Sequence, residues 1–329
     1  MPRTALTRDD LAPLARAALG RHRPLRSVTR LRGGSKKGVY RLTCDDGFTA
    51  VAYVWSAAED YWDAGPTDPR DPLSPGTDLG LFTAAHDRLA AAGVRTPRLL
   101  HADGTRTRLA ADAAVVEDLR GGSLEEMLRR DPAAGRAALD RLAVQLGRLR
   151  EVRGPGLGKV AVVDGGGVSD APSCERRVTD GALRSIAEAA VRDERIAAVR
   201  DGLEDRVREL AEAVRPRARY GLVHGELGPD HVLLDAEGHP ALIDIEGLMY
   251  FDAEWEHVFL RIRFGSHYDV LRAPGLDEDR LRLYRLATHL SLVSGPLRLL
   301  EGDFPHPEGM RAIAEHHLRQ TLSLLPDAS

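Results

Sequence analysis

Residues 221–256, GLVHGELGPDHVLLDAEGHPALIDIEGLMYFDAEWE, constrain the fold more than any other stretch. Two apolar β-type runs, Gly221-Leu222-Val223 and Val232-Leu233-Leu234, flank a tight polar segment. A turn signal over Asp235 to Gly238 separates the second run from a third, Ala241-Leu242-Ile243, which ends on Asp244. A strand, a polar loop and a hairpin with a carboxylate at the end of its second arm collect acids at one edge. Glu226 follows His224-Gly225, His231 lies five residues on, and Asp244 closes the hairpin.

That spacing is the one a kinase catalytic centre uses: an acid after His-Gly, a polar ligand, then a metal-binding Asp. The stretch resembles the aminoglycoside phosphotransferase family of small-molecule kinases, which share the protein-kinase-like fold. The family pattern is His-Gly-Asp-x-x-x-x-Asn, an apolar strand ending in Ile-Asp, then Asp-Pro-x-x-Asp. Here it becomes His224-Gly225-Glu226-x-x-x-x-His231, then Ile243-Asp244, then Asp252-Ala253-Glu254-Trp255-Glu256. The frame is kept while the acid, the Asn and the last Asp have become Glu, His and Glu. The resemblance implies an α+β, two-lobed protein-kinase-like fold. A small antiparallel-sheet N-lobe over 1–118 would carry a Gly-rich nucleotide loop. A larger, mainly helical C-lobe over 119–329 would carry the catalytic loop and substrate pocket.

Composition sets the outer limits. A chain of 329 residues buries a large core and suits two lobes. Its net charge of −4 argues against a nucleic-acid partner. No apolar run approaches the ~18 residues of a membrane span, and the N-terminus lacks a signal-peptide core. The two cysteines, Cys44 and Cys174, lie far apart in sequence, which fits a reducing cytoplasm. The expectation is a cytoplasmic protein with no membrane or nucleic-acid partner. Oligomeric state leaves no mark in the sequence.

Lysine is scarce. Of 46 basic residues only Lys36, Lys37 and Lys159 are lysines, and two of them sit in Gly33-Gly34-Ser35-Lys36-Lys37-Gly38. This Gly-rich turn lies between β-type runs at 27–31 and 39–43, and a third run, 48–55, completes a meander. Backbone N–H groups of such a loop close over phosphate oxygens because glycine has no Cβ in the way. The plainer reading is a glycine-rich hairpin with solvated lysines; the downstream motif favours the nucleotide loop, with Gly33, Gly34, Ser35, Lys36 and Lys37 as its residues. The family also carries a lysine on the third strand and a glutamate partner in the following helix. The run Ala50 to Trp55 has no lysine, and the predicted helix over 79–92 has no glutamate. Lys36 or Lys37 is therefore expected to reach the phosphates from the loop, since a lysine is a compact charge on a flexible stem.

Thr7 reads as the cap of a first helix, with Leu11, Leu14 and Ala18 on one face. Glu59, Tyr61 and Trp62, in the Pro- and Asp-rich connection 56–77, either line the mouth of a cleft or merely anchor the loop. The run 114–119 ends in Arg120-Gly121-Gly122-Ser123, where Ser123 caps another helix. The resemblance makes this the hinge, with adenine on the backbone of Glu117 to Leu119. Leu139, Leu142, Leu146 and Leu149, and likewise Leu203, Val207, Leu210 and Val214, recur at helical spacing and predict core. The Gly-rich segment 154–173 is either a lid or a connector. Helices are expected near 277–294 and 308–325, with Arg285, His289, Arg298, His316 and His317 on them.

Phosphoryl transfer asks a protein for positioning and charge more than for covalent chemistry. By motif position the catalytic set is Glu226, His231 and His224, with Glu226 accepting or orienting the acceptor's proton. Asp244 is the metal ligand; Glu246, two residues on, supplies a further carboxylate, and His231 fills the second ligand position. Mg²⁺ prefers oxygen, so His231 is expected to bond Glu226 or a phosphate instead. Asp252 and Glu256 match positions that brace the catalytic loop. The cofactors implied are ATP (or GTP) and Mg²⁺, and the partners a nucleotide and a small hydroxylated substrate, with the hydroxyl of a peptide side chain as the alternative acceptor. Two other readings compete: a degenerate kinase-like protein that binds nucleotide or ligand without turnover, and a zinc hydrolase built on His224, Glu226 and His231. The zinc reading is weak, because those histidines sit beside Gly and Pro and lack a third ligand at recognisable spacing.

Overall fold

Thr7 starts the first helix as expected: its hydroxyl accepts from Asp10 N–H, and the Asp10 carboxylate accepts from Thr7 N–H at 2.8 Å. That capping box satisfies donors the helix leaves unpaired. The structure is a computed structural model that describes residues 5–31, 34–62 and 67–325. Its contacts divide the chain into two units, one of residues 1–68, 75–149 and 229–248, the other of 69–74, 150–228 and 249–329.

In the first unit, α1 (Arg8–Leu19) packs on a five-stranded antiparallel sheet. The strands are β1 (Leu25–Arg30), β2 (Gly38–Cys44), β3 (Thr49–Trp55), β4 (Leu99–Asp103) and β5 (Asp112–Glu117), in the order β1-β2-β3-β5-β4. Alternation in β2 turns Tyr40, Leu42 and Cys44 inward, where they meet Leu11, Leu14 and Leu19 of α1 and Ala50, Ala52 and Val54 of β3. Both faces of β3 are buried: Tyr53 and Trp55 pack against Phe82 of α2 (Leu79–Ala91), with ring centroids 5.6 Å apart in each case. Two helices follow, α3 (Leu124–Arg130), capped by Ser123, and α4 (Pro132–Glu151), whose Leu139, Leu142, Leu146 and Leu149 are buried as expected. The hairpin Val232–Leu234 and Pro240–Leu242 completes this unit. Residues 1–118, the expected N-lobe, fall within it apart from 69–74, and 119–149 and 229–248 join them.

The second unit is mainly helical. Helices Cys174–Ala190, Arg200–Ala213, Ala253–Phe264, Glu278–Leu299 and Pro307–Leu322 share one apolar core, to which Leu203, Val207 and Val214 contribute. A small sheet joins Gly158–Lys159, Met249–Phe251 and Gly221–Val223. The Gly-rich segment 154–173 thus contributes a strand and a short helix, Val160–Val163, and Lys159 donates to the Ser74 carbonyl at 2.7 Å. Among the described residues, no helix is long and apolar enough to cross a membrane.

Candidate active site

The hairpin of the first unit is fastened at both arms. Leu234 N–H donates to Gly122 O and Gly121 N–H to Leu234 O, at 2.9 and 3.0 Å. Leu242 N–H donates to Arg95 O, and Ile243 N–H to His231 O. At the turn, burial works against the Asp235 charge, but the N–H of His239 and the Arg95 guanidinium hold its pKa down at about 2. This fixed hairpin delivers Asp244 in a left-handed conformation, φ 59° and ψ 45°. Asp tolerates that region better than most side chains.

Past Asp244 the backbone makes a 3-10 turn, Ile245–Gly247, against which α2 packs. Two carboxylates of this segment converge on Lys37. Its Nζ donates to Asp244 Oδ1 at 2.7 Å and to Glu246 Oε1 at 2.5 Å. The side chains of Lys37 and Glu246 are 7% and 5% exposed, whereas Asp244 is 42% exposed. Burial disfavours the Lys37 charge, yet the carboxylates of Asp244 and Glu246 outweigh it, and its pKa is raised. The ammonium also lies 5.2 Å from the Tyr53 ring centroid. His231 Nε2 is 3.9 Å from Asp244 Oδ2 and 3.8 Å from Asp230 Oδ2.

The structure therefore separates the two lysines of the glycine turn. Lys37 turns to the acids, while Lys36 Nζ lies 5.2 Å from the Trp62 ring centroid. Ser35 is strapped from the next connection: its hydroxyl accepts from the Trp62 indole at 2.7 Å, and its carbonyl from Tyr61 N–H at 2.8 Å. Glu59 is buried, accepts from the Tyr40 hydroxyl and pairs with Arg30 at 2.5 Å. Burial and that bond push the Tyr40 phenol up to about 12. Glu59, Tyr61 and Trp62 thus anchor the loop. Gly34 has φ +76°, and a Cβ there would stand 2.6 Å from Lys37 O. Gly33 lies outside the described residues. Where the resemblance places a lysine and a glutamate, the contact of β3 with α2 is aromatic: Tyr53, Trp55 and Phe82.

At the expected hinge, Glu117 N–H already donates to Arg98 O at 2.9 Å, and its carboxylate accepts from Arg98 N–H. Leu119 is buried.

In the second unit the strand Gly221–Val223 runs into His224, which is fully buried, and Gly225, which turns the chain with φ +100°. Glycine takes that dihedral without a Cβ clash. Gly225 is held on both sides: its N–H donates to Glu256 Oε2 at 2.8 Å, and its carbonyl accepts from the Trp255 indole at 2.9 Å. Glu256 is buried; desolvation raises its pKa, partly offset by the His224 imidazole and by N–H groups of the turn. Glu226, next in the chain, is exposed. Glu256 braces this turn as expected. Asp252 does not: it is buried against Arg280 at 2.6 Å and the Tyr284 hydroxyl at 2.6 Å. Sequence reasoning missed both partners, and also the Trp255 indole, because a helical stripe names buried positions without naming their bonds.

A hard divalent ion needs oxygen ligands. Asp244 and Glu246 already aim carboxylate oxygens at one cationic centre, so this donor set fits Mg²⁺. His231 offers nitrogen beside it. Among the described residues, the one group of three metal-binding side chains with ligand atoms within 4.8 Å is Asp235, Glu237 and His239, in the hairpin turn. Asp235 there is engaged by Arg95 and backbone N–H groups.

These features define an α+β fold of the protein-kinase-like class, which the solved structures share. A thermostable mutant of aminoglycoside phosphotransferase APH(4)-Ia, in ternary complex with AMP-PNP and hygromycin B, matches with a TM-score of 0.60 at 17% identity, over 94% of this chain and 98% of that one. Spectinomycin phosphotransferase APH(9)-Ia, with ADP and spectinomycin, matches with a TM-score of 0.61 at 12% identity, over 96% and 94%. A putative fructosamine-3-kinase from Thermobifida fusca YX-ER1 gives 0.53 at 17% identity, over 96% and 99%. A comparison with curated proteins returns no match. The profile of the phosphotransferase enzyme family matches residues 28–291, and the chain belongs to that family.

Proposed function

We propose that this phosphotransferase transfers the γ-phosphoryl group of ATP (or GTP) to a hydroxyl of a small molecule, with Mg²⁺ assistance, in the cytoplasm. The observation that carries the reading is the convergence of Asp244 and Glu246 on Lys37 at the end of a fixed hairpin. A site for nucleotide phosphates needs hard anionic ligands for a cation and a positive group for the phosphates. Asp244 and Glu246 would hold Mg²⁺, which when bound neutralises phosphate charge. Lys37 serves the phosphates, and the turn at Gly34 to Lys36 lies over them. Glu226 accepts the acceptor's proton; His224, Glu256 and Trp255 act as positioning residues for it. His231 orients Asp244. The nucleotides in the solved structures, AMP-PNP and ADP, support the donor, and their hygromycin B and spectinomycin support a small-molecule acceptor.

One observation favours the degenerate binding protein instead: the aromatic contact of β3 with α2, which removes a lysine–glutamate pair. The pairing of Lys37 answers it, because a buried ammonium next to the proposed metal ligands restores the missing charge. The test is a thermal-shift titration with ATP and Mg²⁺, followed by an ATP-turnover screen over hydroxylated compounds. Stabilisation by ATP with turnover on part of the panel is expected. Stabilisation with no turnover on any compound supports the binding protein, and neither response overturns both readings.

A further inference from the structure

Glu246 has an unusual dependence on one partner. It is buried, and among the described residues its hydrogen bonds and ion pairs run to Lys37 alone. Asp244 shares that same ammonium, while its second oxygen faces His231. A buried carboxylate requires a counter-charge, and here a side chain from the glycine turn supplies it to both acids. An ammonium within 2.7 Å of one oxygen and 2.5 Å of the other occupies the position a divalent ion would take. Two cations at one such centre repel strongly.

We infer that Lys37 is an internal cation that bars divalent metal from Asp244 and Glu246 until nucleotide phosphate draws it away, so that metal binds this chain only together with nucleotide. The inference rests on the phosphotransferase reading for its second half. Without nucleotide, an incoming metal would have to expel a buried ammonium that, among the described residues, pairs with no other anion. Phosphate oxygens supply that anion, and the vacated carboxylates then require the metal as their counter-charge. The binding order is thereby set by charge balance. Trp62 and Tyr61, which tie Ser35 in place, hold the root of the Lys37 side chain while its tip changes partners.

The test measures Mn²⁺ binding by the resonance of the free ion, on the full-length protein, with and without AMP-PNP. Without nucleotide, Lys37→Met is expected to bind Mn²⁺ roughly tenfold or more tightly than the parent, because the competing charge is gone. Adding Glu246→Gln to that variant should return the affinity to the parent's weak value. AMP-PNP should bring Mn²⁺ onto the parent, and Lys37→Met should weaken AMP-PNP itself. Equal Mn²⁺ affinity of parent and Lys37→Met without nucleotide overturns the inference. Lys37→Gln, which keeps a donor on Glu246, serves the same comparison if the Met variant does not fold. Failure of the parent to bind AMP-PNP overturns the phosphotransferase reading and the release step with it, whereas the metal-only comparison tests the internal cation independently.

Discussion

Two carboxylate centres of this chain are stabilised in opposite ways. In the first unit, Asp244 and Glu246 are neutralised by an ammonium on a flexible stem, contributed from 207 and 209 residues away. In the second, Glu256 is held by the backbone N–H of Gly225, 31 residues before it in the chain, and faces the buried His224. The first arrangement can exchange partners, because its cation is the tip of a long side chain and Asp244 is half-exposed. The second cannot, because a backbone donor has nowhere else to go. A phosphotransferase needs both kinds: exchangeable charge for metal and nucleotide, and a rigid mount for the acid that meets the acceptor.

The largest effect expected from this contrast is on the rigid side. Glu256→Ala leaves buried donors of the turn without an acceptor and should cost about 2–4 kcal/mol of stability, read from urea unfolding. A loss within ~0.5 kcal/mol, the range of an ordinary surface change, would break the comparison. Next comes another buried polar contact of the second unit, His289 with His317, whose Nδ1 atoms are 2.8 Å apart. Burial first, then neighbouring basic groups, lower their pKa values to about 3 and about 4. Both folded values lie below the ordinary 6.5, so the unfolded chain takes up protons that the folded one refuses. Stability is then full above pH 6.5 and falls as pH drops from there towards 4, by about 2 kcal/mol or more. Unfolding midpoints measured across that range should drop in the parent and flatten in His317→Leu; an unchanged slope would place the pH sensitivity elsewhere. The smallest effect belongs to the exchangeable side. Asp244→Asn keeps the shape but removes a hard anionic oxygen, so ATP affinity with Mg²⁺ should fall about tenfold, or ~1.4 kcal/mol. Affinity without metal should not fall. Equal losses in both conditions would make Asp244 structural.

Legibility in the sequence followed the range of the interactions. The Thr7 and Ser123 caps, the meander, the hairpin ending on Asp244 and the leucine stripe of α4 each depend on residues a few positions apart, and each was read correctly. Glu256 could be read as a brace because it closes a motif of fixed spacing. Asp252 belongs to the same motif but takes Arg280 and Tyr284 as partners, from a helix whose inward face no periodicity specifies to the residue. The choice between Lys36 and Lys37 was likewise closed to the sequence. Both lie in the bend that precedes β2, where no strand alternation fixes their direction, and only the placement of Trp62 and Asp244 decides which lysine meets an aromatic ring and which meets an acid. The anchoring role of Glu59 depends on Tyr40 and Arg30, again a matter of tertiary register.

Glu226 carries the central claim, that the exposed acid of the braced turn acts on the acceptor hydroxyl. The direct measurement is turnover beside nucleotide affinity for the parent and Glu226→Gln, on whichever hydroxyl compound the parent uses. The account predicts turnover slowed by about 10²–10⁴-fold, as for loss of a general base, with AMP-PNP affinity unchanged. A parent that transfers nothing across a broad hydroxyl panel, while Glu226→Asp combined with His231→Asn gains activity, would contradict it.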